Sequence, residues 1–586
     1  MDPDRSKVTG RGLLSGMLNR GSLTTALLGL AAAAPLAFLA TFLLYPLARI
    51  LALGLGPVAA SGWQAARFLA EEADLAGLVT FTTGQALLSS ALTLLAGLPA
   101  AYIFARYDFP GKSVLRSLLT IPFVMPTVVV ASAFVALIGS GGLVDRLAGL
   151  LLGNQAPEVN LTRTLSAVII AHVFYNVSVV VRIVGNFWAN LDPRLPEAAT
   201  MLGATRLRAF LLVTLPLLLP AILAASLLVF AFCFTSFGVI LILGGPRMAT
   251  LEVEIYRQAV YLFNLPAAAF LSLVQLVLTA AVMSVYARLQ SRASLPLNLR
   301  PTQSTQRQPA TPRERLAIFV IGGGTTAALM LPLAILALNS IMTSSGPSLD
   351  YWIALFQDVR GSIFYAPPQL AIRNSLLLAA VTVGLSLAIG IPAAYLMSQH
   401  ADGGQGQARR ASLWGTIAEL LFLLPLGTSA VTLGFGFIIA LDRPPLDLRG
   451  SAVLIPIAHT LVALPLVTRS LLPALRDMNP RWREAAVMLG ANPWHVWREI
   501  DLPIIARAGL VAAAFAFTVS LGEFGATSLL TRPDWPTLPI LIFGYLDQPG
   551  ELNQGQALAM STFLMAVCAA GLLAIERFRL GNLGEF

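Results

Sequence analysis

Long apolar stretches constrain this chain more than any other feature of its sequence. The hydrocarbon core of a bilayer is about 30 Å thick, so a helix that crosses it needs about 20 apolar residues. Stretches of this kind recur along the whole chain, some of them interrupted by glycine or proline. They are 23–47, 80–105, 114–139, 164–187, 209–243, 265–287, 316–342, 372–397, 412–441, 451–471, 504–530 and 556–576. The sequence therefore predicts an all-α polytopic membrane protein with about 12 transmembrane helices.

The composition excludes several other classes of protein. Charged residues make up 11% of the chain, against about 25% in a soluble domain. The net charge of +9 comes almost entirely from arginines that are scattered along the sequence. A nucleic-acid-binding protein concentrates such charge on one face, so no nucleic-acid partner is expected. Cys233 and Cys568 lie in apolar stretches and are interpreted as small hydrophobic residues rather than disulfide or metal ligands.

The distribution of basic residues predicts an orientation in the membrane. If the N-terminus is cytoplasmic and the stretches alternate, most of the 38 Lys and Arg residues fall in cytoplasmic segments. The first apolar stretch is too long for the hydrophobic region of a signal peptide, so we expect an uncleaved first helix. The prediction is a multi-pass protein of the bacterial cytoplasmic (inner) membrane, with both termini in the cytoplasm.

The chain contains an internal duplication. The hexapeptide at 97–102 recurs almost unchanged at 390–395. Four further pairs are all separated by 287 residues: Ala171-His172, Glu197-Ala198-Ala199, Phe237-Gly238 and Thr250-Leu251 each have a second copy. Two parallel six-helix repeats follow, related by a pseudo-two-fold axis along the membrane normal, with a pathway between them.

The duplication predicts a division of the chain into halves and tails. They are a cytoplasmic tail at 1–22, a first six-span half at 23–287, a cytoplasmic linker at 288–315, a second six-span half at 316–576 and a cytoplasmic tail at 577–586. The linker is polar, basic and rich in proline, which is typical of a solvated tether. Contact of its arginines with anionic lipid headgroups is the alternative.

One pattern occurs twice, once in a predicted cytoplasmic loop of each half. An acid opens a short helix, where it complements the helix dipole. Two alanines then allow close approach, a glycine ends the helix in a left-handed turn, and Leu-Pro is interpreted as the return into the membrane. The residues are Glu197, Ala198, Ala199, Gly203, Leu215 and Pro216 in the first copy, and Glu484, Ala485, Ala486, Gly490, Leu502 and Pro503 in the second.

This pattern resembles the EAA loop of ABC importer permeases, and both copies fit it at every position. In that family each loop forms a coupling helix that docks on an ATPase subunit. The resemblance therefore implies two ABC ATPase subunits as partners, together with an extracytoplasmic solute-binding protein that delivers a small-molecule solute. Ordinary capped helices in cytoplasmic loops are the alternative interpretation.

The chain is not expected to be an enzyme. Gly111-Lys112-Ser113 looks like the end of a phosphate-binding loop, but the position of its first glycine is taken by Arg106. We find no catalytic residues and no cluster of metal ligands, and we expect this chain to bind no cofactor. The resemblance implies that ATP is used by the partner subunits.

Four residues are candidates for the pathway of the solute. Glu523 is an acid inside a predicted span, which marks a functional position by default. Its counterpart in the first half is Ser236. His172 and His459 occupy matching places in spans four and ten. A role in hydrogen bonding between helices is the alternative for the acid and for both histidines.

The whole chain resembles the fused permeases of the thiamine and iron(III) importers. Gly-Glu-Phe-Gly stands at 522–525, where thiamine permeases often have Gly-Asp-Phe-Gly. The residues that carry the likeness are 171–176, 244–246, Thr250, Glu252, Ile255 and Tyr256 in the first half, and 521–526, 537–539 and Ile542 in the second. The resemblance favours thiamine as the solute, with iron(III) as the alternative. From a different class, a secondary transporter driven by an ion gradient also has twelve spans, but it predicts buried charge relays and does not need the paired loops.

Overall fold

A computed structural model describes residues 33–152, 160–245, 248–293, 305–357, 367–399 and 421–579, apart from 423, 426, 443, 445, 477 and 479. The described part is almost entirely helical, and we number the helices in chain order. Those before the linker are α1 (Ala33–Ser61), α2 (Trp63–Glu72), α3 (Leu75–Arg106), α4 (Lys112–Val124), α5 (Thr127–Ile138), α6 (Leu143–Leu152), α7 (Leu165–Ala189), α8 (Arg194–Met201), α9 (Arg206–Phe234), α10 (Gly238–Leu243), α11 (Leu251–Val260) and α12 (Leu265–Leu289).

The described helices after the linker continue the same numbering. The helices are α13 (Pro312–Asn339), α14 (Asp350–Ile353), α15 (Pro368–Ser398), α16 (Ala430–Ala440), α17 (Leu454–Arg476), α18 (Pro480–Met488), α19 (Trp494–Gly522), α20 (Thr527–Leu530), α21 (Leu538–Leu546) and α22 (Glu551–Ile575). Two short antiparallel strands, β1 (Met342–Thr343) and β2 (Gly346–Pro347), form a hairpin before α14.

The predicted fold class is confirmed. Eleven helical segments in the described residues are long and apolar enough to cross a membrane, and the shorter apolar helix α16 lies within the ninth predicted span. The predicted start of that span, 412–420, lies outside the described residues, as does 23–32 of the first span. The molecule is therefore an all-α polytopic membrane protein, with boundaries that differ from the predictions at several places.

Proline explains one of the boundary differences. The third span was predicted as one helix over 114–139, but the chain breaks at Met125-Pro126 between α4 and α5. Pro126 has no N–H to donate and disfavours helical backbone at the residue before it. The first span was predicted to end at residue 47, yet α1 continues to Ser61 and passes through Pro57.

The first helix of each half packs against the other half. Ile50 of α1 is buried with Ala269 of α12 and Phe435 of α16. In the same way α13 packs on α5 and on α22. These contacts join the two repeats through buried apolar side chains, which pack closely as in other protein interiors.

The repeated hexapeptide has a packing explanation. A Cβ built on Gly97 would lie 2.8 Å from Cβ of Val180, and one built on Gly390 would lie 2.5 Å from Cγ1 of Val467. Helix α3 therefore crosses α7 as closely as α15 crosses α17, and in both halves only glycine fits at the crossing. The duplication visible in the sequence is thus a duplication of helix geometry.

The described end of the linker is not a solvated tether. The Arg307 amide donates to the Arg106 carbonyl at 3.0 Å, and the Asp108 amide donates to the Arg307 carbonyl at 3.0 Å. The Arg307 guanidinium lies 5.3 Å from the ring centroid of Tyr107 and pairs with Glu314 at 2.6 Å. Hydrogen bonds and a cation–π contact therefore hold this segment against the end of α3. Residues 294–304 lie outside the described residues.

Candidate functional site

The two loops that carry the repeated pattern fold in the same way. Glu197 lies in the first turn of α8, as predicted. Glu484 is the fifth residue of α18, so the prediction of an acid in the first turn is wrong for the second copy, whose helix begins one residue earlier relative to the pattern. Gly203 follows α8 with a φ of +90°, and Gly490 follows α18 with a φ of +86°. Left-handed backbone of this kind favours glycine, as the pattern predicts.

Backbone hydrogen bonds after the two glycines are also equivalent. The Ala204 amide donates to the Ala199 carbonyl at 3.0 Å, and the Ala491 amide donates to the Ala486 carbonyl at 3.0 Å. These bonds span six residues, which is the pattern of a Schellman helix end. Each loop is therefore a short helix with a fixed end and a fixed direction for the chain that follows.

Each loop has two exposed apolar side chains that were not predicted from the sequence. Met201 and Leu202 are 88% and 89% exposed, and Met488 and Leu489 are 87% and 88% exposed. They precede the left-handed glycines, so the capped helix end holds them out from the protein. The available signal was the identical tetrapeptide Met-Leu-Gly-Ala at 201–204 and 488–491. Matched apolar patches of this kind are typical of binding surfaces.

Neither Leu-Pro pair lies at the first residues of its returning helix. Leu215-Pro216 lies within α9, which begins at Arg206, and Leu502-Pro503 lies within α19, which begins at Trp494. A π-helical stretch precedes each pair, at Phe210–Thr214 and Trp497–Asp501. Proline cannot donate a helical hydrogen bond and its ring crowds the preceding turn. The wider π turn accommodates it and lets the helix continue unbroken.

The two predicted histidines occupy equivalent buried positions. Nδ1 of His172 lies 3.1 Å from the Ser89 hydroxyl, and Nε2 lies 2.9 Å from the Ser236 hydroxyl. Nδ1 of His459 lies 2.8 Å from the Ser520 hydroxyl, and Nε2 lies 2.8 Å from Oγ1 of Thr527. In both halves the imidazole therefore joins helices through hydroxyl groups on either side of it.

Glu523 lies in the break between α19 and α20 and forms hydrogen bonds to the start of α20. Its Oε1 accepts from the Ala526 amide at 2.9 Å, and its Oε2 accepts from the Thr527 amide at 3.0 Å and the Thr527 hydroxyl at 2.7 Å. Oε2 also lies 3.5 Å from Nε2 of His459. The structure thus brings the predicted residues together in pairs, His172 with Ser236 and His459 with Glu523, and the carboxylate caps α20.

Four aromatic side chains form a ladder across the boundary between the halves. Phe237 stacks on its own counterpart, Phe524, with ring centroids 5.5 Å apart and planes inclined by 25°. Tyr256 meets Phe237 at 5.3 Å, and its counterpart Phe543 meets Phe524 at 5.5 Å. Because equivalent residues touch each other, the pseudo-two-fold axis passes between Phe237 and Phe524.

The burial of two acids in α11, the helix that carries Tyr256 of the ladder, was not predicted. The predicted fifth and sixth spans leave 244–264 as an outside loop, but α11 in this segment is largely buried and carries Glu252 and Glu254. Glu254 pairs with Arg257 at 2.8 Å. Two acids that alternate with Leu251, Val253 and Ile255 were the available signal. In the described residues no group of three or more His, Cys, Asp or Glu side chains could hold a metal ion.

Comparison with known families identifies the class. Residues 94–295 match the family described as "Binding-protein-dependent transport system inner membrane component". With its bundle of membrane-spanning helices and paired loops, the chain is a permease of the ABC importer class and a multi-pass protein of the inner membrane. Permeases of this class transport solutes together with a binding protein and an ATPase, so the secondary-transporter alternative is set aside.

Relatives extend the similarity over both halves. The thiamine transport system permease protein ThiP of Brucella abortus (strain 2308) is 27% identical over 508 residues, which cover 85% of this chain and 86% of the relative. That of Escherichia coli (strain K12) is 24% identical and covers 85% of this chain and 88% of its own length. A probable ABC transporter permease protein of Sinorhizobium fredii is 25% identical and covers 82% and 84%.

Proposed function

We propose that this chain forms the translocation pathway of an ATP-driven thiamine importer, with one ATPase subunit bound to each of its two loops. The repeated loop, with its exposed apolar pair, carries the proposal. Both loops end in the same glycine geometry, so they would present the same surface to two ATPase subunits. ATP is hydrolysed in those subunits, and this chain binds no cofactor of its own.

Each loop connects directly to two membrane-spanning helices, so a movement of the loop would also move those helices. Helix α8 lies between α7 and α9, and α18 lies between α17 and α19, so each loop joins two spans of one half. Arg483 of α18 pairs with Asp501 of α19 at 2.8 Å, which ties the second loop to the returning span. Movement of the ATPases would reach the spans through these short connections, and the halves would rock to give alternating access.

The proposed topology places both termini and both loops in the cytoplasm. The six-span halves at 23–287 and 316–576 then run parallel, and the breaks after α9 and α19 lie toward the outer face. A binding protein would deliver the solute at that face. The arginines of the cytoplasmic segments support this orientation.

Thiamine is an aromatic cation, and the site between the halves suits such a solute better than a bare metal ion. Aromatic rings meet at the axis, and the buried acid Glu252 lies one helical turn before Tyr256 of the ladder. Aromatic faces attract organic cations, whereas iron(III) is expected to need several hard oxygen ligands together. The relatives named as thiamine permeases support the same choice.

Uptake of labelled thiamine tests the solute directly. Source cells that lack a second thiamine importer should lose nanomolar thiamine uptake when this chain is deleted, and the intact gene should restore it. If uptake is unchanged in the deletion, thiamine is refuted, and loss of iron(III) uptake in the same cells would identify the alternative.

Co-purification tests the assignment of the loops. The double variant E197R/E484R reverses the charge at both helices and should abolish association with the ATPase. Glu71 provides a matched control, because it is an exposed acid on the short helix α2, on the opposite side of the proposed topology. The E71R variant should retain the ATPase. Survival of the complex in the double variant would refute the coupling role of the loops.

A further inference from the structure

Glu252 is a buried acid at the boundary between the two halves. Its carboxylate accepts hydrogen bonds from Gln275 on α12 and from the Ser429 hydroxyl before α16, the latter at 2.5 Å. Ser429 belongs to the second half, whereas Glu252 and Gln275 belong to the first. Among the residues that the structure describes, no cationic side chain forms an ion pair with Glu252. A buried carboxylate without a counter-ion is costly, and inside a membrane protein it marks a functional position.

The two neighbouring buried acids differ from Glu252 in this respect. Glu254 pairs with Arg257, and Glu523 is held by His459 together with backbone amides. Gln275, which donates to Glu252, keeps its own carbonyl oxygen buried and without a hydrogen-bond partner. Two buried acceptors from the first half therefore lie together, and within the described part of the chain no positive charge pairs with them. A cation would satisfy both.

The carboxylate is connected to the aromatic ladder from both halves. Glu252 and Tyr256 are four residues apart on α11, so they share one face of that helix. On the other side, Ala430 follows Ser429, and a Cβ built on Gly525 would lie 3.1 Å from Cβ of Ala430. Gly525 follows Phe524 of the ladder. Separation of the halves would therefore break the Glu252–Ser429 bond and the central stack at the same time.

We propose, on the basis of the importer function proposed above, that Glu252 and the faces of Phe237 and Phe524 form a transit site for the cationic aromatic solute. When the halves separate, the Ser429 hydroxyl leaves the carboxylate, and Phe524 leaves Phe237. The solute cation then pairs with Glu252, and its rings stack on the aromatic faces that have become free. In the closed state Ser429 takes the place of the cation, so the acid keeps a partner.

Uptake by the reconstituted complex tests the carboxylate. The full-length permease, its ATPase and its binding protein are placed in liposomes, and ATP-driven import of labelled thiamine is measured. E252Q keeps the shape of the side chain and removes its charge, and we expect import to fall about tenfold, which corresponds to about 1.4 kcal/mol. E252D should recover part of the import because it restores the charge. E254Q is the matched control on the same helix and should stay within about twofold of wild type.

The aromatic faces are tested in the same assay. F524L keeps an apolar side chain of similar size but removes the ring, and we expect a loss of import similar to that of E252Q. F234L is its control, because Phe234 stacks on Phe230 at 5.6 Å within α9 and is not one of the four rings of the ladder. Co-purified ATPase and stimulation of ATP hydrolysis by the loaded binding protein show that each variant assembles.

The outcomes separate this proposal from the proposed function. If wild-type complex imports thiamine and E252Q imports equally well, the transit site is refuted and the importer function stands. Equal impairment of E252D and E252Q would also refute it, since a structural role of the side chain would then explain the loss. If the wild-type complex imports no thiamine, the proposed function and the ligand of this site are both refuted.

Discussion

The exposed Met-Leu pairs give the sharpest prediction about the loops. Replacing Met201 and Leu202 by serine keeps the helix end and its glycine but removes the apolar surface of one loop. The same change at Met488 and Leu489 removes that of the other. We expect each double variant to bind the ATPase more weakly, and the quadruple variant to lose it.

The magnitude follows from the exposure of these side chains. All four are more than 85% exposed in the free permease, so nearly their whole surface is available for burial on docking. Burial of one such side chain stabilises a complex by about 1.5–3 kcal/mol, which gives about 3–6 kcal/mol for one loop. Since each 1.4 kcal/mol is tenfold in affinity, one altered loop should weaken binding by about 10²-fold at the lower end.

A binding titration of purified permease with labelled ATPase measures this effect. Leu150 and Leu151 of α6 provide the control, because both are 81% exposed and lie in the first half, away from either loop. Serine at these two positions should leave the affinity unchanged. Binding of the quadruple variant with wild-type affinity would show that the Met-Leu pairs are not the docking surface.

Three further predictions concern single residues. G203A places a side chain in open space at a φ of +90°, so it should cost only about 1 kcal/mol of backbone strain and lower uptake without unfolding the protein in a thermal scan. H459F removes the imidazole's hydrogen bonds to Ser520 and Thr527, whose hydroxyls keep their bonds to Thr382 and Glu523, and the melting temperature should fall by the equivalent of about 0.5–1.5 kcal/mol per lost bond, whereas an unchanged value would contradict the bridging role. Burial lowers the pKa of Lys112 from 10.5 to about 8; the neutral amine is the reactive form, so acylation of Lys112 should reach half its maximal rate near pH 8, and a midpoint near 10.5 would contradict this.

The sequence predicted the features that depend on the internal repeat and on the length of the apolar stretches. Apolar length decides whether a helix can cross a bilayer, so the number of spans followed from counting. The repeated glycine at 97 and 390 pointed to equivalent halves, and the structure explains it by two equivalent close crossings. The loop glycines were predicted from turn chemistry, and both adopt the left-handed backbone that this requires.

Two kinds of feature were predicted less well: the backbone around proline, and the burial of charged residues whose partners lie elsewhere in the chain. The Leu-Pro pairs were assigned to helix starts because proline is favoured there, but a π turn lets α9 and α19 pass through proline. The buried helix α11 was assigned to an outside loop because Glu252, Glu254 and Arg257 lower its apolar character. Their partners come from distant parts of the chain or from the next turn, so single-sequence periodicity does not reveal that these charges are buried.

The differences between the halves are as informative as the repeats. The closely packed glycines, the bridging histidines, the loop ends and the central phenylalanines occur twice, and all of them support the common framework. Two buried acids do not: Glu252 has Pro539 as its counterpart, and Glu523 has Ser236. In a dimer of identical subunits, an acid near the axis is necessarily present twice, and its like charge opposes it at short range. Two halves in one chain can diverge, so a single carboxylate can lie beside the axis and receive a solute that itself has a charge at one end only.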